Sequence, residues 1–235
     1  MQRIVLNQLL FIGCILILYH IPVLPLFPLD EKYAYERKQK LLPQSEKDAL
    51  SPVEDLMQEH GILDRLLLIY EETIKRIDNK DPFHLSIVIQ ATQIIQSFIE
   101  KYHEKLEEEY IFPLFIAHRK DVRLVRALNR QHQKGREITA QILALTTGKK
   151  TVDQKVKRML KELMQKYISL YRPHMAREET QLFPNLRSII THKEFDQLAK
   201  KCEKKEEQIL GKNGFARIVQ KIAHLEKQLG IYSLE

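Results

Sequence analysis

Apolar residues recur at spacings of three and four along four successive stretches of the chain, the pattern of amphipathic helices around a shared core. The first stretch opens on Ser51-Pro52-Val53-Glu54, a capping box with proline at the first helical position. No alternating pattern typical of strands stands out. The chain is therefore predicted to be all-α, an up-down four-helix bundle whose helices begin near Ser51, Asp81, Asp121 and Thr151.

Two further helices are predicted after the bundle. Thr191 and Glu194 form a second capping box, which opens a helix to about Gln208. A last amphipathic helix runs from about Phe215 to Gln228. We expect both to cover the bundle, and nothing in their sequences indicates chemistry.

A doubled motif dominates the bundle. In each copy a histidine is followed four residues later by a glutamate and then by Phe-Pro: His103, Glu107 and Phe112-Pro113, and again His174, Glu178 and Phe183-Pro184. Residues i and i+4 share one face of a helix, so each copy presents an imidazole beside a carboxylate. We interpret each Phe-Pro as an anchor and helix stop.

The duplication extends upstream, since His60 precedes His103 at about the distance at which His132 precedes His174. All these histidines fall on the apolar stripe of their helices. A lone histidine there is usually a core residue, and a lone His-Glu pair is usually a surface contact. Here every bundle helix carries one, and burying an ionised carboxylate without compensation costs several kcal/mol. The set therefore predicts a metal centre held by His60, His103, Glu107, His132, His174 and Glu178.

Six nitrogen and oxygen ligands are too many for one structural zinc ion and suit two ions. Histidine with carboxylate and no thiolate favours iron, manganese or, less well, zinc. If both glutamates bridge two octahedral ions, about two coordination positions stay open for a small ligand such as dioxygen, peroxide or nitric oxide. The neighbouring Glu108 and Glu179 are rotated by about 100° and are predicted to face solvent or to support a ligand.

Other features bear on the bundle. Pro173 lies inside the fourth helix, where it predicts a kink or a turn between two shorter helices. Tyr110, Tyr167 and Tyr171 are candidates for redox or hydrogen-bonding groups near the metals, although aromatic residues at helical spacing are mostly core.

Composition narrows the alternatives. The 235 residues include only seven glycines and two cysteines, which favours long helices and indicates no disulfide framework. The net charge of +7 is spread among acidic residues along every helix, so a solvated surface rather than a nucleic-acid partner is expected.

The first residues are a separate element. Residues 4–27 carry no charge, and the segment is long enough to form a helix across a bilayer. The alternatives are a cleaved signal peptide and, third, a lipoprotein signal at Cys14. The positive charges that follow predict a single span with the bundle on the cytoplasmic side, against the alternative of export. The predicted domains are a hydrophobic anchor or signal segment (1–28), a linker (29–50), the bundle (51–187) and a C-terminal helical extension (188–235).

The doubled motif, with Glu59-His60 and Gln131-His132 upstream, resembles the hemerythrin-like (HHE cation-binding) family. The resemblance implies a four-helix bundle with a non-haem di-iron centre, the six residues above as ligands and both glutamates bridging. The sequence departs from the respiratory hemerythrins, which have two histidines four apart on the third helix, whereas Leu128 and Arg136 flank His132 here. In those proteins the acidic ligand on the last helix is an aspartate five residues after the histidine, whereas here it is Glu178, four residues after His174.

These departures argue against stable oxygen carriage, and the set is closer to hemerythrin-like sensors and iron-responsive domains. Our first hypothesis is a membrane-tethered di-iron protein that binds dioxygen or a related oxidant for sensing, storage or delivery. The second is a di-iron peroxidase or nitric oxide-handling enzyme. The third is an iron-stabilised structural or interaction module.

Overall fold

The structure, a computed structural model, describes residues 51–233, and every regular element in that range is helical. The six helices are α1 (Pro52–Asn79), α2 (consecutive segments Leu85–Ile94, Ile95–His103, Glu104–Leu106, Glu107–Ile111 and Phe112–Ala117), α3 (Val122–Thr146), α4 (Gln154–Arg177, Glu178–Leu182 and Phe183–Ile189), α5 (His192–Leu210) and α6 (Gly214–Leu229). The all-helical prediction is confirmed for this part of the chain.

The predicted hydrophobic segment and linker, residues 1–28 and 29–50, lie outside the described residues, and the membrane span of residues 4–27 stays a prediction. Within residues 51–233, no helix combines the length and the apolar character needed to cross a bilayer.

Helices α1 to α4 pack in a closed ring in which α1 contacts α2 and α4, and α3 contacts the same two helices. Their apolar stripes meet in one core, where burial of each large side chain contributes about 1.5–3 kcal/mol. Fully buried members include Leu63, Leu67, Tyr70, Phe98, Ile142, Leu160 and Tyr167. Helices α5 and α6 cover α1 and α2, as predicted, and Arg65 of α1 holds Glu226 of α6 through two hydrogen bonds of 2.8 and 2.6 Å.

Local capping explains where several helices begin. Both predicted capping boxes form, at Ser51 with Glu54 and at Thr191 with Glu194. In each, the first residue's hydroxyl accepts a backbone N–H and the glutamate reaches back to the backbone of the cap.

Two predicted helix starts are wrong by about one turn. Asp81 does not open α2, because its N–H donates to the carbonyl of Arg76 at 2.8 Å and so completes the last turn of α1. Helix α2 begins at Leu85 instead. Helix α4 begins at Gln154 rather than near Thr151, because the side chain of Asp153 accepts the N–H of Val156 and forms the cap.

The Phe-Pro pairs do not stop their helices, so that part of the interpretation is wrong. Both α2 and α4 continue through the proline after a wider π turn, in which the N–H of Phe112 bonds to the carbonyl of Glu107 and the N–H of Phe183 to that of Glu178. A proline cannot donate to the carbonyl four residues earlier, and the wide turn accommodates that missing bond. Each of these two π turns begins at a predicted ligand glutamate, and a third π segment, Ile95–His103, ends at a predicted ligand histidine.

Helix α4 also continues through Pro173, so the alternative of a turn between two shorter helices is wrong. The kink that proline is expected to impose there stays a prediction.

A close approach between α3 and α4 depends on Gly135. A Cβ atom added at this position would lie 2.0 Å from the hydroxyl oxygen of Tyr171. Tyr171 cannot move aside, because it is fully buried and stacks on Tyr167 with ring centroids 4.3 Å apart. The absence of a side chain at Gly135 therefore fixes the position of Tyr171.

We predict that Gly135→Ala lowers the free energy of unfolding by about 1–3 kcal/mol, the usual cost of overpacking a core, although alanine favours helix formation. Gly61→Ala is the matched control, since nothing lies within 4 Å of an added Cβ there, and it should raise stability by up to about 1 kcal/mol. Urea denaturation followed by circular dichroism measures both. Equal effects of the two substitutions would contradict the proposed contact.

Candidate metal centre

The six predicted ligands converge in the middle of the bundle, and all are buried. Glu107 Oε2 lies 3.3 Å from His132 Nε2 and 3.7 Å from His103 Nε2. Glu178 Oε2 lies 3.1 Å from His174 Nε2 and 3.4 Å from His60 Nε2. The structure thus brings together every residue that the sequence singled out, with each imidazole turning Nε2 toward a carboxylate.

Of the three groups of donor atoms in the described residues that are close enough to hold a metal ion, two overlap and consist of the predicted ligands alone. One consists of Glu107, His132, His174 and Glu178, and the other of His60, His103 and Glu107. The histidines form two pairs, His60 with His103 and His132 with His174, and in each pair the ring centroids are 4.9 Å apart. Glu107 belongs to both groups, and Glu178 also lies beside His60, so both carboxylates stand between the histidine pairs.

Glu107 and Glu178 face the ligand imidazoles but form no hydrogen bond within the described residues. No donor forms a hydrogen bond with either oxygen of Glu107 or of Glu178, although all four atoms are buried. An unsatisfied buried polar group costs about 1–3 kcal/mol, and more if it is charged. Cations coordinated at these oxygens remove that cost, so the donor set fits metal ions of the kind that bind imidazole and carboxylate.

The other ring nitrogen of each histidine is held by a side chain from a neighbouring helix. His60 Nδ1 contacts Glu179 at 2.9 Å, and His132 Nδ1 contacts Glu108 at 3.1 Å. The two glutamates predicted to lie toward solvent or to support a ligand therefore do support one: Glu108 is largely buried, whereas Glu179 is 41% exposed. A partner on Nδ1 sets the ring orientation and leaves Nε2 free for a metal.

Sequence reasoning assigned no role to the other two supporting residues. His103 Nδ1 contacts Glu59 at 2.7 Å, and His174 Nδ1 contacts Gln131 at 3.0 Å. Glu59 and Gln131 each directly precede a ligand histidine, and their equivalent places in the two halves of the duplication were the available signal.

A polar cluster lies behind His132. Arg136 Nη2 is 2.6 Å from both Glu104 and Glu108, and Tyr171 donates its hydroxyl hydrogen to Glu104 at 2.5 Å. Arg136 lies four residues after His132, one of the two places at which a second histidine of this helix could stand. Its charge is used to hold two carboxylates.

Aromatic rings close the centre. Phe112 stacks on His132 and Phe183 stacks on His60, each with ring centroids 5.5 Å apart, so the anchoring role predicted for the Phe-Pro pairs is seen at both sites. Of the three candidate tyrosines, Tyr171 lies nearest, with its ring centroid 5.3 Å from that of His174. Tyr167 stacks behind Tyr171, and Tyr110 is only half-buried.

Electrostatics divides the histidines. Burial opposes a charge on His60 and His132, but the adjacent carboxylates outweigh it and raise the pKa of each to about 10. For the Glu59–His103 pair burial prevails, raising the pKa of Glu59 to about 8 and lowering that of His103 to about 4. Protons thus compete for the sites at which a metal would bind, and metal binding should release them.

Known proteins share the part of the chain that contains the candidate metal centre. The family model described as the hemerythrin HHE cation-binding domain matches residues 51–186, the span of the four-helix ring. The chain belongs to this family. The same hemerythrin model also matches residues 123–230, beginning as far after residue 51 as His132 lies after His60, which agrees with the internal duplication.

Three curated relatives of this hemerythrin-like chain are 42% identical to it over 192 residues, covering 82% of this chain and 75% of theirs. Two come from strains of Mycobacterium tuberculosis and one from Mycobacterium bovis, and each is called an uncharacterized protein. No solved structure matches the chain significantly.

We predict that Glu108 contributes stability to chelator-treated protein that is lost in acid. Burial opposes its charge, but hydrogen bonds from His132, Lys105 and Arg136 lower its pKa to about 2, from 4.5. A depressed carboxyl pKa stabilises the fold above pH 4.5, and this contribution disappears as the pH falls toward 2. After discounting for solvent screening, Glu108→Gln should cost about 1–2 kcal/mol at pH 6 and little at pH 2.

Urea denaturation of chelator-treated protein at several pH values measures the difference. Glu109→Gln is the control. Because Glu109 forms only a surface contact with Lys205, this substitution should change the free energy of unfolding little at any of these pH values. A constant cost of Glu108→Gln from pH 6 to pH 2 would contradict the role of its charge.

Proposed function

We propose that the chain binds two non-haem iron ions and that the pair binds dioxygen or a related small oxidant, for sensing, storage or delivery. The observation that carries the proposal is the membership of Glu107 in both donor groups. One ion would be held by His60 and His103 and the other by His132 and His174, with Glu107 and Glu178 bridging. Such a shared carboxylate suits two ions and has no use in a site for one.

The donor set supports iron. Imidazole and carboxylate without thiolate suit iron or manganese, and zinc less well. When bound, the ions would supply the electrons and the open positions that a small oxidant needs. The family supports cation binding in general, and the choice of iron rests on the ligand chemistry.

The chain's own residues would orient the ligands and restrict water. Partners on Nδ1 fix all four imidazoles, so ligand exchange need not reorganise the site. Phe112 and Phe183 cover one face each of His132 and His60 and limit solvent there. Because the third helix has one histidine where the respiratory hemerythrins have two, more of the metal coordination would stay open than in an oxygen carrier, which favours sensing over stable carriage.

A second candidate is a di-iron enzyme that consumes peroxide or handles nitric oxide. Tyr171 favours it, since this residue lies beside His174 and donates a hydrogen bond to the buried carboxylate of Glu104. The response of the reduced protein to oxygen and to peroxide separates the two candidates.

We predict that the purified chain contains iron and that the anaerobically reduced protein develops a charge-transfer absorption band on exposure to oxygen. Reversal of that band when oxygen is removed supports binding. Continuous consumption of peroxide supports the enzyme instead, if the Tyr171→Phe substitution lowers its rate. Iron that raises only the melting temperature, with no spectral response to either oxidant, supports a structural module and contradicts both.

We predict that metal content depends unequally on the ligands. His103→Ala and His174→Ala should each lose about one ion per chain, whereas Glu107→Ala should weaken both sites, because its carboxylate faces both histidine pairs. Elemental analysis after dialysis measures this, with circular dichroism to show that each variant is folded. Glu109→Gln is the control with full content. A Glu107→Ala variant that retains two ions would contradict the bridging role.

A further inference from the structure

The two halves of the centre are related residue by residue, yet they differ at one supporting position. Glu59 precedes His60 and contacts Nδ1 of His103, on the next helix. Gln131 precedes His132 and contacts Nδ1 of His174, again on the next helix. The same structural place thus holds a carboxylate in the first half and a neutral amide in the second.

The two supporting groups differ in chemistry. Glu59 Oε2 lies 2.7 Å from Nδ1 of His103, and its other oxygen, Oε1, lies 2.7 Å from the hydroxyl oxygen of Tyr102. A carboxyl group at this place can carry a negative charge or exchange a proton with the imidazole, whereas the amide of Gln131 can do neither.

The surrounding cations reinforce this difference. In the second half, Glu108 and Glu104 are both in contact with Arg136, and Glu108 also contacts Lys105. In the first half, no lysine or arginine of residues 51–233 pairs with Glu59 or Glu179. Arg136 and Lys105 therefore offset the carboxylates behind His132, whereas no basic side chain of the described residues pairs with Glu59 or Glu179.

We propose that the two metal positions are unequal, and that Glu59, acting through His103 as a positioning residue, makes the His60–His103 position the tighter one, which fills first. A carboxylate behind a ligand imidazole makes the imidazole a stronger donor, and such partners typically change metal affinity 10–100-fold. Gln131 leaves the His132–His174 position weaker and easier to empty. The proposal rests on the proposed pair of ions.

Cobalt(II) titration of the full chain tests the order of filling, since Co²⁺ reports its binding by visible absorption and does not change oxidation state under anaerobic conditions. Wild type should bind two ions in steps separated at least tenfold. His174→Ala leaves the first position, and His103→Ala leaves the second. Adding Glu59→Gln should weaken binding 10–100-fold in the His174→Ala background and less than threefold in the His103→Ala background.

Gln131→Glu provides the converse variant. It should tighten the position that remains in the His103→Ala background about tenfold, a gain that a merely structural role of this residue would not produce. In a chain with both histidine pairs intact, the double exchange of Glu59→Gln and Gln131→Glu should reverse the order of filling.

Three results would overturn the proposal. They are two equal cobalt affinities in wild type, a Glu59→Gln effect of the same size in both backgrounds, and a Gln131→Glu substitution that weakens the second position. Each of these leaves two-ion binding intact, so the proposed function would survive. A wild-type chain that binds neither cobalt nor iron would overturn both.

Discussion

The rest of the structure depends on two buried carboxylates that no protein donor satisfies. Glu107 and Glu178 lie at the centre of the bundle, with all four oxygens removed from water and from hydrogen bonds. Their nearest polar neighbours are imidazole nitrogens, which can compensate the charge only as imidazolium groups or as fellow ligands of a cation. The stability of the core and the chemistry of the centre are therefore set by the same atoms.

The supporting contacts join the four helices through the centre. Each Nδ1 partner comes from a helix other than that of its histidine, so Glu59 ties α1 to α2, Glu108 ties α2 to α3, Gln131 ties α3 to α4 and Glu179 ties α4 to α1. This ring of contacts follows the ring of helix packing. The contacts that hold neighbouring helices together at the centre therefore also orient the ligand imidazoles.

Much of this arrangement could be predicted from the sequence. The six converging residues were identifiable because His103 and Glu107 repeat as His174 and Glu178. Two helix starts were identifiable because capping boxes depend only on residues close together in the sequence. The π turns at Glu107 and Glu178 were not identifiable, since they follow from the balance between a proline's missing N–H and the packing of the phenylalanine before it. Asp81 was misread because its backbone completes the preceding helix. Glu59 was missed because a charged residue beside a histidine usually belongs to an exposed face.

The duplication has an evolutionary consequence. Two identical hairpins associating about a two-fold axis would have to offer both ions the same surroundings, because symmetry repeats every residue. Joining the hairpins into one polypeptide removes that requirement. The contrast of glutamate at position 59 with glutamine at position 131 is a divergence that two identical hairpins could not carry.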